Sequence, residues 1–343
     1  MKILIHSTVF SPSIGGTETA TRLLAIGLNE LGHEVKVITD TKGVSLDTEG
    51  IEVHRGISTR EYLQHVRWCD VFIHSNVSLR NAWALLLYRR PWVIIHHTRI
   101  EAIEGEHALT SRLKQWATRF ATNLSVSKFM ADNLHSPSIV VKNPYADDVF
   151  RAQPEAVRDQ DLIVVGRFLD DKGFQVAIEA LDRLRQRGFT KTRMTMVGDG
   201  PYRAQLDELT RKKGLQSVVE FTGIKASKEL SQIFNRHKIL IVPSLTPETF
   251  GLVAVEGMAS GCLVIGSDVG SLKETIGPGG LAFKAGDAEG LANLLQTHLE
   301  HPEAQAPYIK AAASHLGQFE RARIIPSIAG CIEQALANWK GKA

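Results

Sequence analysis

A chain of 343 residues exceeds what one ordinary hydrophobic core organises and suits two domains of about 150 residues each. Its 43% hydrophobic and 7% aromatic content fits a soluble globular protein, and 40 basic against 37 acidic residues, a formal charge of +3, exclude a nucleic-acid footprint. Cys69, Cys262 and Cys331 are odd in number and far apart, which argues against a disulfide framework and against a zinc site.

The chain opens directly as a strand, Met1-Lys2-Ile3-Leu4-Ile5-His6, with no apolar signal core, and no apolar run long enough to span a membrane follows. A cytoplasmic protein is expected. Short apolar runs then alternate with helical patterns, and Lys2–His6, Val35–Thr39, Val71–His74, Trp92–His96, Asn123–Val126 and Ile139–Val141 are the strand candidates of the first half. Apolar residues at consecutive positions mark strands buried on both faces of a parallel sheet, with helices as crossovers. After the first strand, Ser11-Pro12-Ser13-Ile14-Gly15-Gly16-Thr17-Glu18 leads into a helix with Ala20, Leu24, Leu28 and Leu31 on one face. Gly15 and Gly16 let backbone approach a ligand at a helix N-terminus, a suitable place for phosphate, although such a pair alone is more often just a turn. The spacing fails the dinucleotide fingerprint G-x-G-x-x-G, and Asp40 is the sole acidic residue ending the second strand in a ribose-binding context.

Ala146-Asp147-Asp148 to Asp161, polar and carrying Pro154, reads as an interdomain linker. A second strand series follows at Leu162–Val165, Met194–Val197, Val218–Phe221, Ile239–Val242 and Leu263–Ile265. Its first strand ends in Gly166-Arg167-Phe168-Leu169-Asp170-Asp171-Lys172-Gly173, so Arg167 and Lys172 converge on a strand end and suit a diphosphate, the alternative being surface cations paired with Asp170 and Asp171. Val197-Gly198-Asp199-Gly200-Pro201 is a glycine-rich strand-to-helix corner. A further strand ends in Pro243-Ser244, and beyond it Glu248 and Glu256 flank Gly251, the first on a loop and the second in the opening turns of a helix. A carboxylate suits a pair of hydroxyls such as a ribose or sugar diol, and the N–H groups of Phe250, Gly251 and Leu252 suit polar substrate atoms; the competing reading is an acidic cap plus one solvated glutamate. Residues from about 322 onward read as helix, interrupted at Pro326 and packing back on the first domain. The expected domains are 1–150, 151–321 and a helical segment 322–343, two doubly wound α/β domains facing across a cleft where ligands bind at the carboxyl ends of the strands.

Gly15-Gly16, Gly166-Arg167 with Lys172-Gly173, Val197-Gly198-Asp199-Gly200-Pro201, and Pro243-Ser244 followed by Glu248 to Glu256 and Ala259-Ser260-Gly261 occur in one order over nearly the whole chain. In that combination the sequence resembles the retaining glycosyltransferases of family 4, the group 1 glycosyl transferases of GT-B fold. The resemblance implies two Rossmann-like domains, the C-terminal one holding a nucleotide-diphosphate sugar (UDP-sugar favoured, GDP-sugar as the other choice) and the N-terminal one holding an acceptor. By position, Glu256 corresponds to the ribose-binding carboxylate and Glu248 to the carboxylate beside the donor sugar and diphosphate. Arg167 and Lys172 correspond to the diphosphate clamp on which Gly16 closes, and Ile224, in Phe221-Thr222-Gly223-Ile224, to the segment whose backbone meets the nucleobase. The family places a histidine at a strand end beside the donor sugar. Counting from Pro91, His97 takes that position, whereas His96 continues the strand's alternation into the fold; Thr98 departs from the Asp or Gly frequent there.

The resemblance implies a hexosyltransferase that needs neither cofactor nor metal. Arg167, Lys172 and the Gly16 backbone stabilise the departing diphosphate, an oxocarbenium-like sugar forms, and the acceptor hydroxyl attacks the face just vacated. His97 orients the sugar, and Glu248 completes the catalytic set. This differs from a glycosidase, which needs an acid on one face and a base or nucleophile on the other. Adjacent histidines on a strand point to opposite faces, so His96 and His97 do not share one ion, and His74 and His107 read as structural. The acceptor is a carbohydrate or glycolipid hydroxyl, with bacterial envelope polysaccharide, lipopolysaccharide or glycolipid synthesis as the setting. Arg80 to Arg90, with Trp83, Leu85, Leu86, Leu87 and Tyr88, and Arg112 to Arg119, with Leu113, Lys114 and Trp116, are basic amphipathic stretches suited to peripheral contact with the inner membrane surface; core-packing helices with solvated cations are the competing reading. Two other functions stay open: a GT-B sugar-nucleotide epimerase, which would isomerise donor without acceptor, and a nucleotide-sugar sensor, which would bind without turnover.

Overall fold

The computed structural model describes residues 1–43, 50–100 and 108–341, so His107 lies outside the described residues. Two compact units divide the chain, one formed by Met1–Tyr145 with Gln318–Ala343 and the other by Ala146–Gly317.

In the first unit β1 (Lys2–Ser7), β2 (Glu34–Thr39), β3 (Glu52–Arg55), β4 (Val71–Ser75), β5 (Trp92–His96), β6 (Thr122–Ser125) and β7 (Ser138–Val140) form a parallel sheet in the order β3-β2-β1-β4-β5-β6-β7. In the second, β8 (Gln160–Val165), β9 (Met194–Val197), β10 (Val219–Gly223), β11 (His237–Val242), β12 (Leu263–Ser267) and β13 (Gly280–Phe283) form a parallel sheet in the order β10-β9-β8-β11-β12-β13. Both are doubly wound, and the direction of winding reverses between β1 and β4 and between β8 and β11, where open α/β sheets leave a crevice for ligand. Central strands such as Val71–Ser75 and Leu263–Ser267 are buried at every position, because crossover helices cover both faces.

Two strands were not expected. β3 and β13 lie at sheet edges; none of the residues Glu-Val-His-Arg in β3 is buried, and only Phe283 is buried in β13. β3 lacks the continuous apolar run that marks the buried strands, and in β13 the run Leu281-Ala282-Phe283 is short and follows Gly279 and Gly280.

Residues 146–161 are not a free linker. Phe150 is buried against Phe234 with ring centroids 6.1 Å apart, Ser231 Oγ donates to Val149 O at 2.8 Å, and Arg158 donates to Phe234 O and His237 O at 3.2 and 2.7 Å. The polar residues that suggested a linker are hydrogen-bonding the second unit. The boundary therefore falls at Tyr145, whose N–H donates to Phe319 O at 3.3 Å, rather than at 150. The closing helix, Arg321–Lys340, also differs from expectation: it runs through Pro326 without interruption. A proline breaks a helix that depends on its own hydrogen bonds, whereas here buried Ile324, Ile325, Ile328, Ala329 and Ile332 hold the helix down, with Ile325 against Gly27 and Arg321 on Glu30 at 3.0 Å.

Candidate active site

In the second unit the carboxyl ends of β8, β9 and β10 are joined by backbone hydrogen bonds: Gly166 N–H to Val197 O (3.0 Å), Phe168 N–H to Asp199 O (2.9 Å) and Gly198 N–H to Gly223 O (2.9 Å). This requires glycine at 198, where φ is +139° and an added Cβ would collide with Gly166 O. The corner is thus more than a turn: it fixes the strand end that carries Arg167. The Arg167 side chain is exposed and has no ion-pair or hydrogen-bond partner among the described residues, and Ile224 is 60% exposed on the adjoining turn.

Lys172 is not paired with Asp170 or Asp171. Its Nζ stands 2.5 Å from Glu248 Oε1, which also accepts from Ser244 Oγ at 2.6 Å. Asp171 instead ties the two loops together, its carbonyl accepting from Leu245 N–H at 2.8 Å and its Oδ2 from Thr246 Oγ1 at 2.9 Å. Gly173, with φ +70°, lets this turn press on Pro243 O, a place where any Cβ would clash. Arg167, Lys172 and Glu248 therefore all issue from the ends of β8 and β11, the two strands flanking the reversal of winding in this sheet.

Gly251 caps the helix Leu252–Ala259, and Phe250 just before it is buried, its carbonyl accepting from Thr275 Oγ1 at 2.5 Å. Glu256 lies in the second turn. It is buried, not a solvated helical glutamate, and its carboxyl has no hydrogen bond or ion pair among the described residues. Burial without a cation pushes its pKa up to about 8. A buried carboxyl left without partners is costly alone, and suits a ligand that brings donors to it. It makes no direct interaction with the Lys172–Glu248 pair.

In the first unit Gly15 is the cap of the helix Gly16–Glu30. The Glu18 side chain lies over Gly15, accepting from Ser13 Oγ at 3.2 Å, so a carboxylate of the chain itself occupies the helix start. At the end of β5, both His96 and His97 are buried. His96 Nε2 bonds Asn123 Oδ1 at 3.0 Å, whereas both ring nitrogens of His97 are buried without a well-formed hydrogen bond. Burial lowers the His97 pKa to about 4, His96 adding to the effect and the Asn143 side chain opposing it, so the ring is neutral near pH 7. Asn76, which sequence reading missed, sets this strand end: its Oδ1 accepts from the N–H groups of His97 and Thr98 at 2.8 and 2.9 Å. It is the sole non-glycine residue with positive φ (67°) among the described residues, and Asn directly after a buried strand was the available signal. Among the described residues, no group of three or more His, Cys, Asp or Glu side chains could hold a metal ion.

The family described as "Glycosyl transferases group 1" matches residues 146–315, the span that contains Arg167, Lys172, Glu248 and Glu256. By its second unit, the chain belongs to the group 1 glycosyl transferases. Over 334 residues this glycosyltransferase is 26% identical to an uncharacterized glycosyltransferase of Methanocaldococcus jannaschii, covering 80% of this chain and 83% of that one. It is 25% identical to the gpi3 subunit of phosphatidylinositol N-acetylglucosaminyltransferase of Schizosaccharomyces pombe, covering 86% and 73%. Among solved structures, Anabaena HepE in complex with UDP and glucose is similar with TM-score 0.84 at 20% identity, covering 97% of this chain and 99% of that one. Sucrose-phosphate synthase from Thermosynechococcus elongatus is similar with TM-score 0.82 at 18% identity, covering 98% and 100%. These structural likenesses establish the fold, which is GT-B.

Proposed function

We propose that the protein is a retaining hexosyltransferase that moves a sugar from a nucleotide-diphosphate sugar, UDP-sugar before GDP-sugar, to a hydroxyl of a carbohydrate or glycolipid. The observation that carries this is the pairing of Lys172 with Glu248 beside the unpaired Arg167. Glu248 holds the ammonium in place without burying it, so an arriving diphosphate finds two cations already positioned. These cations supply the positive potential that a divalent ion supplies elsewhere, which supports transfer without a metal or other cofactor. Glu256 takes the ribose hydroxyls and the turn at Ile224 the base.

As the bond to the diphosphate breaks, Arg167 and Lys172 stabilise the charge on the leaving oxygen, and the acceptor hydroxyl attacks the same face, passing its proton to that oxygen. His97, neutral, orients the sugar by hydrogen bonding. Synthesis of a bacterial envelope polysaccharide, lipopolysaccharide or glycolipid fits such chemistry and puts the enzyme in the cytoplasm at the inner face of a membrane. A thermal-shift panel of UDP-, GDP- and ADP-sugars tests the donor: one nucleotide at 100 times its Kd stabilises by about 2.7 kcal/mol. No shift with any of them would refute the reading.

A further inference from the structure

The stretch Arg112 to Arg119 does not pack its apolar side chains into a core. On the helix Ala108–Ala117 and the turn Thr118–Phe120 that continues it, Leu109, Leu113, Trp116 and Phe120 recur at intervals of four, three and four residues, a single stripe. They are 65, 45, 54 and 64% exposed. Ala117 and Thr118 are buried on the other side, and the fold grips the helix there: Thr118 Oγ1 is 2.7 Å from Ser136 Oγ, and Gln115 Oε1 accepts from His135 N–H at 3.2 Å. The helix is thus held from behind with its apolar face outward.

Beside the stripe lies a cavity of about 420 Å³ whose lining includes Arg112, Trp116, Arg119, Asn133 and His135. Neither guanidinium has an ion pair or hydrogen bond among the described residues. The other basic stretch differs. Arg90 donates to Val66 O and Arg67 O at 3.4 and 2.6 Å, and Arg89 sits over the Trp339 ring at 5.6 Å, so those cations already serve the fold. Both stretches expose apolar side chains, Trp83, Leu86 and Leu87 in the Arg80–Arg90 stretch, but among the described residues the Arg112–Arg119 face alone sets two uncommitted guanidiniums around one cavity beside such a stripe, the Arg80–Arg90 stretch having only Arg80. That combination matches the headgroup–acyl boundary of an anionic bilayer: forked donors for phosphate, apolar side chains for the chains below it, and Trp at the level between. A protein partner would satisfy the stripe equally but gives no reason for two unpaired arginines around one cavity.

We propose that this face docks on a bilayer, with the phosphate of an anionic glycerophospholipid held between Arg112 and Arg119 and with Leu109, Leu113, Trp116 and Phe120 inserted beneath it. The proposal names the partner for the membrane-face location given above, and its test does not read sugar transfer. Full-length protein is sedimented with vesicles of phosphatidylcholine alone and of phosphatidylcholine mixed with phosphatidylglycerol. Binding is expected to the mixed vesicles only, and to weaken with salt. Arg112→Gln with Arg119→Gln should lower the partition coefficient on the order of thirtyfold, since each cation near an anionic surface contributes about 1 kcal/mol. Leu113→Asn with Trp116→Ser, which keeps both arginines, should lower it independently. Because all four positions are on the surface, each variant should keep the wild-type thermal shift with nucleotide sugar, which confirms folding. Equal binding to neutral vesicles, unchanged binding of either variant, or self-association of the chain that the stripe variant abolishes would overturn the proposal.

Discussion

The carboxyl end of β5 in the first unit and the carboxyl ends of β8 and β11 in the second handle polar groups in opposite ways. His97 is sealed off, with both ring nitrogens buried and burial pulling its pKa down to about 4. Lys172 and Glu248, by contrast, keep 26% and 17% of their side-chain surfaces exposed and neutralise each other. Desolvation at the first end removes charge; partial solvation at the second preserves it. A neutral imidazole is suited to hydroxyls of a sugar, and a preserved ammonium beside a free guanidinium to a diphosphate. On the proposed function the two ends serve different parts of a glycosyl transfer, and variants at them should fail differently.

The sharpest break is expected at the charged end. Lys172→Ala should reduce turnover on the order of 100-fold, corresponding to about 3 kcal/mol of lost transition-state stabilisation. Its melting temperature should hardly move, because a partly exposed pair contributes little to stability. Full turnover in the folded variant would end the clamp assignment.

Glu256 should come next. Glu256→Ala should weaken UDP binding on the order of 10- to 100-fold, since hydrogen bonds to a charged group contribute about 1.5–3 kcal/mol. The folded carboxyl keeps its proton to about pH 8, and ribose hydroxyls donate to the ionised form, so wild-type affinity should rise as pH increases toward and through 8. The stability slope has the opposite sign. An unfolded carboxyl ionises near its ordinary value of 4.5 while the folded one stays protonated, so the wild type loses stability as pH rises from 4.5 to about 8. Glu256→Gln should remove both slopes, and calorimetric titration with UDP between pH 6 and 9 checks the first.

The neutral end should give the smallest effect and the cleanest separation. Asn76→Gly keeps the left-handed backbone but removes the acceptor shared by the His97 and Thr98 N–H groups. Turnover should fall about tenfold through lost positioning while Kd for UDP stays unchanged. Asn76→Asp, which retains the acceptor, should restore the rate; a loss of UDP affinity in the glycine variant instead would remove the distinction between the two ends.

How far the sequence speaks follows from the range of each interaction. Strands such as β4 and β12 are legible because burial on both faces writes a local apolar run, and Gly166-Arg167 and Lys172-Gly173 are legible because strand ends with glycine are local as well. The edge strand β3 carries no such run, and in β13 it is cut to Leu281-Ala282-Phe283 behind two glycines. The Lys172–Glu248 pair joins residues 76 positions apart, so the sequence offered Asp170 and Asp171 as nearer partners, and only the fold decides between them. Glu256 occupies a helix whose buried face wraps round it, which spacing alone does not distinguish from a solvated position. Asn76 acts through a backbone conformation and two N–H groups across the sheet, neither of which is written in residue type.

Proton NMR of the first product, formed in the presence of EDTA, tests the whole scheme most directly, because the anomeric coupling reports the face of attack and the chelator reports the source of positive charge. With Arg167 and Lys172 holding the leaving diphosphate, the donor's anomeric configuration should be kept and transfer should survive chelation. An inverted anomer, or activity abolished by EDTA and restored by manganese, would contradict it.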